Sequence, residues 1–253
     1  MKKIIIVLLS VSLVSLAAVG PEMFFQQRTI EFSGYGWQVR NSPEKRSLPG
    51  PNLWSGKQEN VWVDEKGRLH LKLTSEKGKW YSSEVTMTST LGYGEYVFYI
   101  SLPPTLNRNA VLGMFNYHDD EHEIAIELSR WGQKASHNAQ YVVQPVEQPV
   151  EISERLHRFT YDDSFLSLTH KFIWQPNRID FMSYRQHRRS PQDPELHLQQ
   201  WSYQEDDVPQ EYPGSTGHLN VHINLWLQNG TPPSDGKDVE VIIDRFEYYP
   251  LSS

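Results

Sequence analysis

Glu123-Ile124-Ala125-Ile126-Glu127 is the stretch on which the fold turns. It lies in a run, His122 to Arg130, that alternates polar and apolar residues. Residues i, i+2 and i+4 of a β-strand line one face. Glu123, Ala125, Glu127, Ser129 and Trp131 therefore fall on one side. Ile124, Ile126 and Leu128 fall on the other, toward a core. Two acids on the open face of a strand suit glycoside hydrolysis, one as nucleophile and one as general acid/base. Four residues of strand span about 13 Å between Cα atoms. A retaining pair needs carboxyl groups about 5–5.5 Å apart. Glutamates leaning together on a concave face can close that gap, and aspartates are too short. A plain strand with a solvated acidic face is the commoner outcome of such spacing alone.

The remaining chain reads as nearly all β. Val61–Val63 and Leu69–Leu73 flank Asp64-Glu65-Lys66-Gly67, a hairpin with glycine in its turn. Further alternating segments are Ser82–Thr88, Tyr96–Ser101, Ala110–Tyr117, Tyr141–Gln144, Phe165–His170, Ile179–Tyr184, His218–Leu227 and Val239–Tyr248. Ala110–Tyr117 and the acidic strand bracket His118-Asp119-Asp120, the loop of a hairpin. No helical periodicity follows the N-terminus, and turn signals recur about every ten residues, which points to a sandwich or barrel. Gln186–Gly217 is rich in Gln, Pro, Asp and Arg and reads as a long surface loop carrying Trp201 and Tyr203.

Glu123-Ile124-Ala125-Ile126-Glu127 resembles the signature of glycoside hydrolase family 16, the jelly-roll β-glucanases, which reads Glu, aliphatic, Asp, aliphatic, Glu. Supporting likenesses run in the family's order. They are Leu91-Gly92-Tyr93-Gly94 through Ile100, Phe172-Ile173-Trp174-Gln175-Pro176-Asn177-Arg178-Ile179, Asn224-Leu225-Trp226, and Ile243-Asp244-Arg245-Phe246-Glu247-Tyr248-Tyr249. The resemblance spans about Phe32 to Tyr249. It implies an all-β jelly-roll sandwich of two curved antiparallel sheets with a concave sugar-binding cleft. It implies Glu123 as nucleophile, Glu127 as general acid/base, and Asn224 and Trp226 as cleft residues. The family's central Asp is Ala125 here. That replacement removes a hydrogen-bond partner and a proton-sharing neighbour of the pair.

Strand parity adds His222 to the face of Asn224 and Trp226, opposite Val221, Ile223 and Leu225. Trp131 joins the acids' face if their strand continues, as a ring for a sugar subsite. Otherwise it is a turn aromatic at the core edge. Trp37, Trp54 and Trp80 are further subsite rings that the sequence does not rank. His118-Asp119-Asp120-Glu121-His122 holds metal-ligand types, but a loop does not set both imidazoles on one face, so no metal is expected there.

Residues 1–20 read as a signal peptide: Lys2 and Lys3, an apolar run from Ile4 to Leu16, then Ala17-Ala18-Val19-Gly20. An uncleaved anchor is the alternative, since the apolar run sits at the lower length limit for spanning. Residues 21–253 then form one domain, large enough for a single core. The absence of cysteine leaves no disulfide framework, no Cys-based metal site and no lipid attachment through cysteine. Formal net charge is −7, and removing residues 1–20 takes away two lysines and no acid, leaving −9. Nucleic-acid binding wants the opposite balance. There is no Gly-x-Ser-x-Gly elbow and no phosphate-binding glycine loop.

Together these features lead to a secreted or periplasmic bacterial glycosidase that takes a β-linked polysaccharide, needs no cofactor, acts as a monomer and is not held in the membrane after cleavage. A lectin-like carbohydrate-binding protein is the alternative, fed by Ala125. Transglycosylation shares the first chemical step. N-terminal sequencing of protein from periplasm or medium is expected to begin at Val19 or Pro21. An intact Met1 in the membrane fraction would instead identify an anchor.

Overall fold

Alternation becomes a sandwich in the computed structural model, which describes residues 27–134, 137–146, 154–204 and 219–251. The proposed signal peptide and residues 205–218 lie outside the described residues. The front sheet runs in the spatial order β1 (Thr29–Phe32), β2 (Tyr35–Val39), β7 (Lys79–Thr90), β16 (Asn220–Leu227), β9 (Ala110–Asp119), β10 (His122–Leu128), β11 (Ala139–Val143) and β12 (Leu156–Phe159). The back sheet runs β5 (Val61–Val63), β6 (Leu69–Glu76), β17 (Val239–Pro250), β8 (Gly94–Ser101), β13 (Ser167–Gln175), β14 (Arg178–Arg185) and β15 (His197–Tyr203). All these pairings are antiparallel. The β6–β7 hairpin joins the two sheets. A flap of β3 (Ser42–Ser47) and β4 (Asn52–Trp54) lies against β7, with β4 parallel to it. Among the described residues the only helical turns are two short 3-10 segments.

Parity assembles the core. Ile124, Ile126 and Leu128 are fully buried beside Leu112, Met114, Val221, Ile223 and Leu225. They face Phe98, Phe172, Phe181, Ile243 and Phe246 of the back sheet within one apolar cluster. Each such side chain contributes about 1.5–3 kcal/mol by leaving water. A one-residue slip of β10 would exchange isoleucines for glutamates, so the register is strongly specified.

The turns follow from local chemistry. Asp64 Oδ1 accepts from the backbone N–H of Lys66 and Arg68 at 2.9 Å each, which shapes the β5–β6 turn. Lys77 and Gly78 both have positive φ, 51° and 76°, the signature of a two-residue hairpin turn matched to strand twist.

Two sequence expectations are corrected. Trp201 and Tyr203 are not on a loop but in β15, where Trp201 stacks on His157 and Phe181 across the open edge of the sandwich. Trp37 and Trp54 are fully buried structural rings, and Trp80 packs against the core edge.

A histidine is sealed between the sheets. His170 shares the core-facing side of β13 with Phe172 and is fully buried. Its Nδ1 meets Ser183 Oγ at 2.6 Å, and Ser183 Oγ meets the Tyr141 hydroxyl at 2.6 Å. Burial pushes the imidazole down to about 3. Below about pH 6.5 the unfolded chain takes up a proton that the folded one refuses. His170 therefore contributes stability that is full above about pH 6.5 and is lost as pH falls toward 3. Denaturant titrations from about pH 7 to 4 should show falling stability, with a shallower fall in His170→Gln. An identical slope in that variant would assign the loss to other groups.

Candidate active site

The outward face of the front sheet is concave and carries a cleft of about 1110 Å³. Glu123 and Glu127 stand in its floor on β10, and Ile124 and Ile126 lie buried behind them. Register sets the neighbours of each acid in rows across the strands. The row of Glu127 reads Arg158, Gln140, Glu127, Gly113, Asn224, Glu84, Arg40. The row of Ala125 reads Leu156, Val142, Ala125, Phe115, His222, Thr86. Glu123 pairs with Tyr117 of β9, and its carbonyl accepts from the Gln144 backbone N–H at 3.0 Å.

The two acids differ in what reaches them. Glu127 Oε2 accepts from Gln140 Nε2 at 2.6 Å, and Gln140 Oε1 accepts from Arg158 Nε at 3.2 Å. Among the described residues no side chain donates to Glu123. Tyr117 donates instead to Asp120 at 3.0 Å. Both acids open to the cleft but are otherwise walled by protein. Burial pushes Glu123 up to about 8, reinforced by the charges of Glu127 and Asp120. Burial also raises Glu127, opposed by the Gln140 hydrogen bond and the Arg158 charge.

Ala125 sits between the acids with Val142 and Phe115 beside it, and is nearly inaccessible. An aspartate there would enter an apolar frame. Phe115 in turn stacks on His222, with ring centres 5.0 Å apart and planes at 19°.

A third carboxylate, Glu84, is buried at the far end of the Glu127 row. Burial acts to raise it, but the His222 contact and Arg40 outweigh that and leave it lowered. Arg40 Nη1 donates to Glu84 Oε2 at 2.9 Å, and Asn224 Nδ2 donates to the same oxygen at 3.3 Å. Arg40 also holds the flap tip, donating to Ser47 Oγ at 3.0 Å and the Leu48 carbonyl at 2.8 Å. Gly113 leaves room for Asn224, because a Cβ there would lie 2.5 Å from Asn224 Oδ1 and that side chain would have to shift.

The cleft gathers the two acids and four of the binding residues that the sequence singled out, in different states, but not Trp37, Trp54 or Trp80. Glu123, Glu127, Trp131, His222, Asn224 and Trp226 all line it. Asn224 is buried, and His222 is half-buried. Trp131 does not arrive by strand continuation. β10 ends at Leu128, and Ser129 Oγ donates to the Ala110 carbonyl while accepting the Trp131 N–H, which turns the chain. Trp131 takes φ 45° in that turn, with the Arg158 guanidinium 5.8 Å from its ring centre. Trp226 is only 9% exposed. It packs with Trp54 and Val111, and Gly50 of the flap approaches its ring. Sequence reasoning missed Glu84, Arg40, Gln140, Arg158, Phe115 and Tyr117. Parity within Ala110–Tyr117 points to Phe115 and Tyr117. The other four need the strand order.

The two tryptophans should separate experimentally. Trp226→Ala removes a buried ring and is expected to cost about 3–5 kcal/mol in denaturant titrations. Trp131→Ala should leave stability within about 1 kcal/mol and weaken polysaccharide retention in affinity electrophoresis. Equal stability losses would make both rings structural.

No protein-family model matches the chain, and no curated protein matches its sequence. Solved structures do match its fold. The β-glucanase of Bacillus licheniformis is 20% identical over 85% of this chain and 92% of its own, with a TM-score of 0.60. A glycosyl hydrolase family 16 protein of Mycobacterium smegmatis is 16% identical over 84% and 91%, with a TM-score of 0.62. An immunostimulatory antigen of Mycobacterium tuberculosis, described as a pseudo β-1,3-glucanase, is 15% identical over 85% and 91%, with a TM-score of 0.59. Identity at this level speaks to architecture and not to activity: the chain has the jelly-roll fold seen in these β-glucanase and glycosyl hydrolase structures.

Proposed function

We propose that this chain is an exported glycoside hydrolase that cleaves a β-linked polysaccharide by a retaining two-glutamate mechanism. The observation that carries the reading is the pair Glu123 and Glu127, on one strand face in the floor of an open cleft. The cleft, about 1110 Å³, exceeds the usual range for a small ligand, about 300–1,000 Å³, and suits several sugar units. Its lining mixes Phe115, Tyr117 and Trp131 with amides and charged groups, so rings can cover sugar C–H faces while polar groups read hydroxyls.

Glu123 attacks the anomeric carbon as Glu127 protonates the departing oxygen, which forms a glycosyl ester on Glu123. Glu127, now a base, takes a proton from water, and the water oxygen displaces the ester and restores both acids. An acceptor sugar in place of water would give transglycosylation. Trp131 and Arg158 flank the Glu127 end, and His222, Asn224 and Glu84 line the side across Gly113. No cofactor takes part in these steps.

Ala125 favours a second reading, a lectin-like protein that holds a glycan without cutting it. Val142 and Phe115 beside it provide no substitute carboxyl. One structural neighbour is itself described as a pseudo-glucanase.

Reducing-sugar release from neutral β-glucans and galactans tests the hydrolase reading. Weak release is expected, abolished in Glu123→Gln. Ala125→Asp should raise it by about 10–100-fold, the scale of one acid/base contribution. If both the wild type and Ala125→Asp release nothing from any of these polymers while still binding them, the lectin-like reading replaces it.

A further inference from the structure

Retaining chemistry must start with its nucleophile ionised and its acid protonated. In the site above, that means a charge on Glu123 and a proton on Glu127. The hydrogen bonds around the pair favour the opposite.

Arg158 has only donors to offer, so the Gln140 atom facing it is the carbonyl oxygen. The Gln140 NH2 group is thereby fixed toward Glu127 Oε2, at 2.6 Å. That distance is short even for charge-assisted bonds. Gln140 is buried, so its amide has little freedom to turn away. A donor aimed at a carboxylate, with a guanidinium behind it, favours the charged form.

Glu123 has the reverse surroundings. Among the described residues, no side-chain donor reaches its carboxyl. Asp120 and Glu127 press negative charge on it. Tyr117, its partner on β9, donates to Asp120 and is itself pushed up to about 12, by burial first and then by that bond. On the flanking strands, His222 meets Thr86 Oγ1 and Glu84, and Asn224 and Arg40 are bonded to Glu84. None of these is bonded to Glu123. Ala125 contributes no third carboxyl through which a proton could be shared.

We propose that Gln140, oriented by Arg158, is a positioning residue that holds the resting charge of the acid pair on Glu127 and leaves the resting proton on Glu123. The pair keeps a single charge, but its major tautomer is the unproductive one. Cleavage then requires a proton to move from Glu123 to Glu127, with no change in net charge, before Glu123 can attack. Slow hydrolysis follows from the scarcity of the productive tautomer. The kinetic consequence rests on the hydrolase reading above, and the ionisation order does not. The position of Glu123, pushed up to about 8 with the Glu127 charge among its causes, accords with this order.

The test is a carboxyl titration by NMR on the full chain labelled with 13C at glutamate Cδ, from about pH 3 to 10. Glu123→Gln and Glu127→Gln assign the two signals. The expected result is Glu127 titrating in the lower step and Glu123 in the upper one. In Gln140→Met, which keeps bulk and removes the donor, the Glu127 step should move up by about one pH unit or more. Arg158→Met should move it in the same direction by less. Glu123 titrating first in the wild type overturns the proposal, as does a Gln140→Met protein with both steps unmoved. If Gln140→Met does not fold, the wild-type order decides by itself. Sugar release is measured separately. A chain that shows the expected order but cuts nothing retains the ionisation and loses the hydrolase reading. One that cuts with Glu123 ionising first loses only the inference.

Discussion

Ile124, Ile126 and Leu128 need to leave water, and the two-residue period of β10 turns that need into a position for Glu123 and Glu127. Each isoleucine seated between the sheets pins the neighbouring glutamate to the opposite face. The same coupling runs through β9 and β16. Leu112 and Met114 go inward as Gly113 and Phe115 go outward, and Ile223 and Leu225 go inward as His222 and Asn224 go outward. The cleft floor is thus the reverse side of the hydrophobic core. Mutations that loosen the core near β10 act on the acids through register, without touching the cleft.

Desolvation is the second consequence of that arrangement. Groups rooted in a sheet and walled by Phe115, Tyr117, Val142 and Trp131 lose much of their hydration, and burial is the first cause of the raised position of both acids. What distinguishes them is the lateral row. Glu127 shares its level with Gln140 and Arg158, whereas Glu123 lies next to Tyr117 and the acidic hairpin tip. At the other end, Arg40 links buried Glu84 to the carbonyl of Leu48. A half-buried ion pair therefore joins the cleft floor to the flap that forms its wall.

Legibility in the sequence followed the strength of the local signal. β5–β6, β8, β9–β10, β14 and β17 were readable, since each alternates clearly or is bounded by Gly, Pro or Asp. β1, β2 and β4 are only three to five residues long and β3 is polar, with the Ser33-Gly34 turn between β1 and β2, and their pattern is too weak to stand alone. β15 hid in a Gln- and Pro-rich stretch because it is an edge strand with only Tyr203 fully inside. Trp131 was placed by parity, yet it reaches the cleft through a left-handed turn stabilised by Ser129.

The sequence by itself determined which side chains share a face, and so put both glutamates, with alanine between them, on one side of one strand. Periodicity is a property of a single extended backbone, so it can be read without knowing any neighbour. Tertiary structure alone decided what stands beside each acid. Gln140 and Arg158 arrive on β11 and β12, Asn224 on β16, and Glu84 and Arg40 on or beside β7, and hydrogen-bond register aligns them into one row. That alignment depends on strand order and sheet curvature, which come from closing the core as a whole. The chemistry of the two acids is set there, because a carboxyl's proton answers to donors, charges and burial within a few ångströms, whatever their distance along the chain.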